Sequence, residues 1–584
     1  MKKYLFIALA ALGFAACEEK IGDQPHSGEV EQSYIAINLM SADLDTRAAT
    51  DAYGYEDGTT AERAIKTAYF FFFDEDGNPF NVAANSGATN PDYSNNGKNH
   101  LSLELTANPE NNDDVNISDI TNAVLILNTY KGIYPSKVVA VLNWTPENKY
   151  YSLSDLHNIV NNSIGNETSG YVMSNSVYMN DNNIIDAVTI TNDNIKTTAA
   201  DAENEPINIY VERTAAKVVV SASGKVANTE NIFSTDKKSS LIPLDSGSGS
   251  EIDVYVKLHG WELYNDYQTS SLLKNIENWD TATLGLTWND SPFYRSYWAN
   301  SQSTDLNDSF NWSYTKDTDA DTYSGFPTTN GFIVADGVNT AGTFAYCGEN
   351  TNQVTKSGDV ITSDPRTKVI LKGQLMQKNG ENYEPLELAR WYGNEYAGNA
   401  ALRTAVVNSL RYTIYSSTDA SNFSPIKPED LECVAGNSVG AEAYEVGFQL
   451  STTGKAKTWY QYSSADGYVV FGDNGVDGDN AAKANAYLKG VEPAILYSNG
   501  QTYYIVDIKH LGQSGKTAEY GVVRNHVYNI DIKSIKGYGS PVYIGTSNII
   551  TPEYPPYEET SSYVSAKINV LSWKVVKQEV NIVK

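Results

Sequence analysis

The chain has 584 residues, 71 of them acidic and 42 basic, for a formal net charge of −29. Single cores stop growing near ~250 to 300 residues, so two or more domains are expected. The charge is spread without a clustered stripe of Lys and Arg, which argues against nucleic acid as a partner.

Tyr (41) and Gly (42) are abundant, and short Val/Ile/Tyr runs alternate with turn clusters, so the chain reads as mainly β. It starts with "MKKYLFIALAALGFAACEEK", where Lys2 and Lys3 precede an apolar run of 12 residues, Leu5 to Ala16, and small residues lead into Cys17. A helix across a bilayer needs about 20 residues, so this is an export signal. Its ending is that of a lipoprotein signal, residues 1–16, with Cys17 as the acylated first residue. A plain secretory signal is the alternative, because Phe14 stands where Leu is usual. Only Cys347 and Cys433 then remain, too few for a disulfide scaffold. Two buried free thiols are favoured over a bridge.

In "SYIAINLM" (33–40), Ile35, Ile37 and Leu39 alternate with Ala36, Asn38 and Met40, the pattern of a strand. An acidic, small-residue loop follows, then an apolar strand at Tyr69 to Phe73 and a turn at "DEDGN" (74–78). Strands are expected at 101–106, 122–128 and 137–144, and a helix at 152–162, capped by Ser152 or Ser154 and burying Leu156, Ile159 and Val160. Strand signals return at 170–179 and 207–224. The second of these is long enough to leave one domain and enter another, with the boundary near Arg213.

Beyond a polar loop, strands are expected at 253–264, 343–347, 367–376, 444–450, 502–508 and 526–535. One helix is expected at 400–410, with Leu402, Val406 and Leu410 on one face. A proline-rich connector, 551–560, leads to the final "INVLSWKVVKQEVNIVK". Apolar positions in that tail are even through Val564, Ala566, Ile568 and Val570, odd at Leu571, Trp573 and Val575, then even at Val576, Val580 and Ile582. A one-residue slip exchanges faces, so bulges or two partner sheets are expected. The earlier part is expected on its own subunit and the residues after about Leu571 on a neighbour.

Catalytic spacing is missing: there is no HExxH, CxxC, GxSxG or phosphate loop. His510 and His526 lie near adjoining strands and read as structural. Asp317, Asp319 and Asp321 alternate as calcium ligands do, but Thr322 and Thr328 stand where the loop needs Gly and Glu; this and "DNGVDGDN" (473–480) read as solvated acidic loops. No enzyme activity, cofactor or metal is expected. Arg47, in the small, polar "LDTRAATDAYG", is a candidate for proteolysis, and Arg63 in "TAERAIK" is a second.

Further stretches, in this order, carry a resemblance: "TRAATDAYGYEDGTTAE", "IKTAYFFFFDEDGN", "MSNS", "VERTAAKV", "LHGWELYN", "RSYWANS", "YCGENT", "TKVILKGQL", "VRNHVYNIDIKSIKGYGSPV" and "SYVSAKINVLSWKVV". With the Cys17 signal they resemble the fimbrillins of the Bacteroidia, the subunits of type V pili, and most of all the family of the minor fimbrium's shaft subunit. The resemblance implies two transthyretin-like β-sandwich domains with short helices, plus an N-terminal pro-strand and a C-terminal donor strand. It divides the chain into a propeptide (17–47), an N-terminal domain (48–212), a C-terminal domain with loop insertions (213–560) and a donor tail (561–584).

It further implies a lipidated precursor at the outer membrane, cut between Arg47 and Ala48 by an arginine-specific protease and polymerised head to tail by donor-strand exchange. The product would be the shaft of a cell-surface fimbria contributing to adhesion and virulence. Ile35, Ile37 and Leu39 would belong to the removable strand, and Leu571, Trp573, Val575, Val576, Val580 and Ile582 to the donor. Partners would be further copies of the chain, accessory, anchor and tip subunits, and surface ligands that the sequence does not name. The physical reading agrees: removing a buried strand leaves unpaired backbone as a template for another. The rival readings are an accessory, anchor or tip fimbrillin, and a surface lipoprotein that binds glycans on a platform of aromatic rings.

Overall fold

The computed structural model describes residues 30–41, 55–83, 99–104, 122–161, 163–180, 183–226, 231–244, 251–267, 269–276, 293–295, 298–301, 313–314, 344–358, 360–435, 445–472, 479–541, 548–549 and 563–574. Cys17, Arg47, Ala48, Val575, Val576, Val580, Ile582 and the loop at 317–321 lie outside them. The described chain is mainly β, in several sandwich-like units joined by short helices.

The N-terminal region is built on one large sheet. Its strands are β1 (Val30–Ser41), β3 (Thr67–Phe73), β4 (His100–Glu104), β5 (Asn122–Tyr130), β6 (Lys137–Leu142), β7 (Met173–Asn175) and β8 (Ile207–Arg213). They run in the order β4-β3-β6-β7-β8-β1-β5. One core draws on β1, β3, β5, β6 and β8 together, with Ile35, Phe70, Leu127, Val138 and Ile209 all fully buried, so the sheet closes over its own inner face. The outer face carries a second core around Phe71, Phe73, Val139, Val141 and Leu156. Burial on both faces explains why "YFFFF" is a continuous apolar run rather than an alternating one.

Two local signals in this region take the expected form. At "DEDGN" the Asp74 carboxylate accepts from the amides of Asp76 and Asn78 at 2.9 and 2.8 Å, and Gly77 has φ +84°. Between β2 (Tyr55–Asp57) and β3, the short helix α1 (Thr60–Arg63) is set by a capping box of Thr59 and Glu62. The next helix, α2 (Leu153–Asn158), is capped by Ser152 and buries Leu156. It is shorter than expected. Val160 and Asn161 leave it to pair with Ser271 and Ser270, and Val160 is exposed.

The chain changes sheet at Thr214, between Arg213 and Ala215. After it, β9 (Ala215–Ser221), β10 (Ile232–Ser240), β11 (Glu251–Tyr264), β12 (Phe344–Gly348) and β13 (Lys368–Asn379) enter two further sheets, completed by β17 (Gln501–Asp507), β18 (His526–Lys536) and β19 (Tyr563–Lys574). One sheet is ordered β2-β19-β18-β9-β12, and the other contains β10-β11-β13-β17. Val218, Tyr528 and Ile530 from the first pack with Val256, Leu371 and Tyr504 from the second.

The loop insertions expected within 213–560 include a unit with a core of its own. Helices α3 (Gly398–Leu410) and α4 (Asn480–Leu488) pack there with β14 (Ile414–Ser417) and β15 (Thr458–Ser463), which pairs with β16 (Gly467–Val470). Leu402, Val406 and Leu410 are buried on one face of α3 as the spacing predicts. The acidic stretch 473–480 ends as the start of α4; its residues 473–478 are outside the described chain. Among the described residues no helix is long and apolar enough to cross a membrane.

Candidate functional site: the strand slot and the terminal strand

β1 fills a slot between two strands distant in sequence. Its first nine residues, Val30 to Asn38, pair antiparallel with Tyr130 to Asn122 of β5, and Ile37 to Ser41 pair parallel with Ile207 to Val211 of β8. Because side chains alternate across the pleat, Ile35 (0% exposed), Ile37 (0%) and Leu39 (3%) all enter the core. At the rim, the Asn38 amide donates to Asn208 Oδ1 at 3.0 Å. Glu31 accepts from the Tyr134 hydroxyl and from the Gly132 amide, and the Tyr134 bond chiefly holds its carboxyl below the usual range. β1 precedes Arg47 in the chain, and the strands on either side of it follow Arg47.

Withdrawing β1 would unpair the facing groups of β5 and β8. Emptying the places of Ile35, Ile37 and Leu39, at ~1.5 to 3 kcal/mol for each buried side chain, costs roughly 5 to 9 kcal/mol. Such a slot is a template for another strand of matching alternation.

The terminal strand β19 pairs antiparallel with β18 from Lys536–Tyr563 to His526–Ser572. Its one register shift faces Ser565 and Ala566, between Ile532 and Ser534 on the partner. The ladder therefore runs straight through Val570 and Leu571, where the apolar phase breaks. The described ladder thus carries one irregularity, away from the phase break. Leu571, expected on the neighbour, pairs with Val527 of its own chain, and Trp573 pairs with Glu56 of β2. The last residues of β19 thus have a second partner.

The two halves of the chain meet through buried charges. Lys217 on β9 reaches Glu62 of α1 at 2.9 Å, with both side chains fully buried, and the Arg213 guanidinium donates to the Glu62 carbonyl at 2.8 Å. Burial works to raise the Glu62 pKa, but the Lys217 ammonium and the Tyr346 hydroxyl outweigh it and the carboxyl sits below its ordinary value. Lys274 lies 2.7 Å from Glu212 across the same junction, and within the C-terminal half Arg524 lies 3.2 Å from Glu349. The stretches "VERTAAKV" and "VRNHVYN" supply Glu212, Arg213, Lys217 and Arg524, roles that no local pattern marks. The available signal was charge inside otherwise apolar strand runs.

The remaining candidates are structural in their surroundings. The His510 and His526 rings do meet, with centroids 5.2 Å apart, and are buried, His510 beside the Tyr528 hydroxyl at 2.9 Å and His526 beside the Arg524 carbonyl at 2.7 Å. Cys347 and Cys433 are not joined in a disulfide and are buried in separate cores; burial raises both thiols, that of Cys433 to about 12. Arg63 sits in α1, directly after Glu62, with its guanidinium on the Thr59 carbonyl. Among the described residues no group of three His, Cys, Asp or Glu is placed to hold a metal.

Many of the described large aromatics lie in the cores, including Trp261, Trp459, Phe70 and Phe71. One cluster does not. On the small sheet holding β14, β15 and β16, Tyr415, Tyr460, Tyr462 and Tyr468 form a layer with Phe423, which stacks on Tyr468 at 3.8 Å. Tyr462 and Tyr468 are 39% and 41% exposed.

Residues 495–579, spanning β17, β18 and β19, match the family described as "Major fimbrial subunit protein type IV, Fimbrillin, C-terminal". No curated protein matches the sequence. Among solved structures the chain is similar to a fimbrilin of Porphyromonas gingivalis, with 13% identity over 93% of this chain and 98% of that one and a TM-score of 0.34. It is also similar to a Parabacteroides distasonis protein described as a cell adhesion protein (11% identity, 94% and 98% covered, TM-score 0.35). A third is the tip fimbrial protein Mfa3 of P. gingivalis with a C-terminal truncation (11%, 93% and 100%, 0.27). Fimbrillins are structural subunits of cell-surface fimbriae, and it is in its C-terminal region, residues 495–579, that this chain matches the fimbrillin family.

Proposed function

We propose that this fimbrial subunit forms the shaft of its fimbria by donor-strand exchange. The lipidated precursor is cut after Arg47, β1 leaves with the propeptide, and the tail of the next subunit enters the vacated slot. The observation that carries this reading is β1 itself: a strand with Ile35, Ile37 and Leu39 buried, clamped between β5 and β8, that belongs to the segment ahead of Arg47. A tip subunit would not need a donor tail, and an anchor would remain uncut at Arg47. Arg63 is a poor protease site, because cutting there requires α1 to unfold and Glu62 to leave its buried partners.

Arg47→Ala is therefore expected to leave the precursor full length and monomeric, with the SDS-resistant ladder of subunits lost. A ladder as strong as that of the unaltered chain, built from uncut subunits, would refute the proposal.

The exposed tyrosine layer favours a second role for the assembled subunit, adhesion to neutral glycans through ring stacking. Tyr462→Ala with Tyr468→Ala is expected to lower retention in affinity gels of mannan, galactan or glucan at least about tenfold, on the ~1.4 kcal/mol per tenfold scale. No retention of the unaltered protein in any of the three would remove this role.

A further inference from the structure

β2 lies at the edge of the C-terminal sheet, on top of the terminal strand. Its three residues pair parallel with β19: Tyr55 with Ser572, Glu56 with Trp573 and Asp57 with Lys574. Ser572 also pairs with His526 of β18, but the β18 ladder ends there. Trp573 and Lys574 are paired with β2 alone among the described strands.

The connectivity of β2 is equally informative. On its C-terminal side, two residues, Gly58 and Thr59, link it to α1, whose Glu62 is locked to Lys217 and Arg213. On its N-terminal side, residues 42–54 join it directly to β1 in the other half of the molecule. One connection thus ties the strand that fills the slot to the strand that covers the tail. While both ends of β2 are fixed, the chain keeps it at high effective concentration over β19. A cut in that connection leaves a pairing of three residues held from one side, and isolated short strand pairs are marginal in water.

We propose that β2 is a removable cover on the base of the donor, and that the cut which frees β1 also unloads Trp573 and Lys574. One proteolytic event then opens the acceptor slot and unpairs the base of the donor, while Ser572 and the residues before it stay anchored on β18. This rests on the donor-strand reading above but concerns its regulation, and it is read separately.

The test is hydrogen exchange by mass spectrometry on the full chain before and after cutting with an arginine-specific endoprotease, using monomer isolated at low concentration. Amides of Tyr55 to Asp57 and of Trp573 and Lys574 are expected to exchange at least about tenfold faster after the cut, with Glu62 in α1 unchanged. Equal protection before and after would overturn the proposal. A second measurement uses Asp57→Cys with Lys574→Cys, which join facing positions of β2 and β19. Oxidised, the cut protein is expected to polymerise at least about tenfold more slowly than when reduced; equal rates would likewise overturn it. Failure of strand exchange itself would instead show as no polymer from the cut, unaltered chain, while the exchange data would still decide the role of β2.

Discussion

Deleting Trp573–Lys584 is expected to abolish the SDS-resistant ladder of the cut protein while leaving the monomer folded. The deletion spares the β18–β19 ladder, which runs to Ser572, so the subunit keeps its C-terminal sandwich. What it loses is the chain available for a neighbour's slot. Four apolar side chains entering that slot gain ~6 to 12 kcal/mol before ordering costs, enough for a joint that persists when its release is slow. The contact joins unlike surfaces, tail to slot, and does not close on itself, so its product is a filament. A gel of cut protein with and without the deletion decides the matter, and undiminished laddering would deny the tail its donor role.

The second large effect is expected at the buried junction. Lys217→Met leaves Glu62 without its ammonium partner in a fully buried place, and breaking such a pair costs ~3 to 5 kcal/mol. Urea unfolding should record this as a lower midpoint. Combining it with Glu62→Leu should recover most of the loss, because a well-packed apolar pair replaces a buried ion pair at little cost. The pH dependence has a defined sign. The Glu62 carboxyl is held below its ordinary value in the fold, so its contribution is complete above the ordinary carboxylate range and is lost as pH falls through the folded value. A single Lys217→Met variant as stable as the parent would show that the junction does not hold the halves together.

The two effects concern one path through the subunit. β8 lines the slot, Thr214 follows it directly, and β9 begins at Ala215 and pairs with β18, which carries β19. Slot and tail are thus three strands apart, and the Glu62–Lys217 pair sits where the path changes sheet.

Alternation made β1 legible in the sequence, because Ile35, Ile37 and Leu39 mark one face without interruption. The α3 stripe of Leu402, Val406 and Leu410 was legible for the same reason at helical spacing. The crossing near Arg213 could be read from a strand pattern too long for one sheet. The unit around α3 and α4 was less legible, since β14 and β15 are short and mix Ser, Thr and Gln with few apolar residues, so their strand signal is weak. The junction was hidden for a different reason: a charge within a strand ordinarily marks the solvent face, and only the fold brings Glu62, Lys217 and Arg213 together across 155 residues of sequence. In the tail, consecutive apolar residues leave the register open, and the ladder on β18 shifts opposite Ser565 and Ala566. The β2 contact depends on a three-residue pairing that no local pattern announces.

The central claim is that the tail of one subunit occupies the slot vacated by β1 in the next. Lysine cross-linking of the assembled polymer, followed by mass spectrometry, tests it most directly, because lysines mark both sides. Lys131 follows the end of β5 that faces Val30, and Lys196 bridges to Tyr34 beside the slot, while Lys577 and Lys584 are in the tail. Cross-links from Lys577 or Lys584 to Lys131 or Lys196 are expected in the polymer and not in the uncut monomer. A polymer in which these links are missing and residues 30–41 are still present would contradict the account.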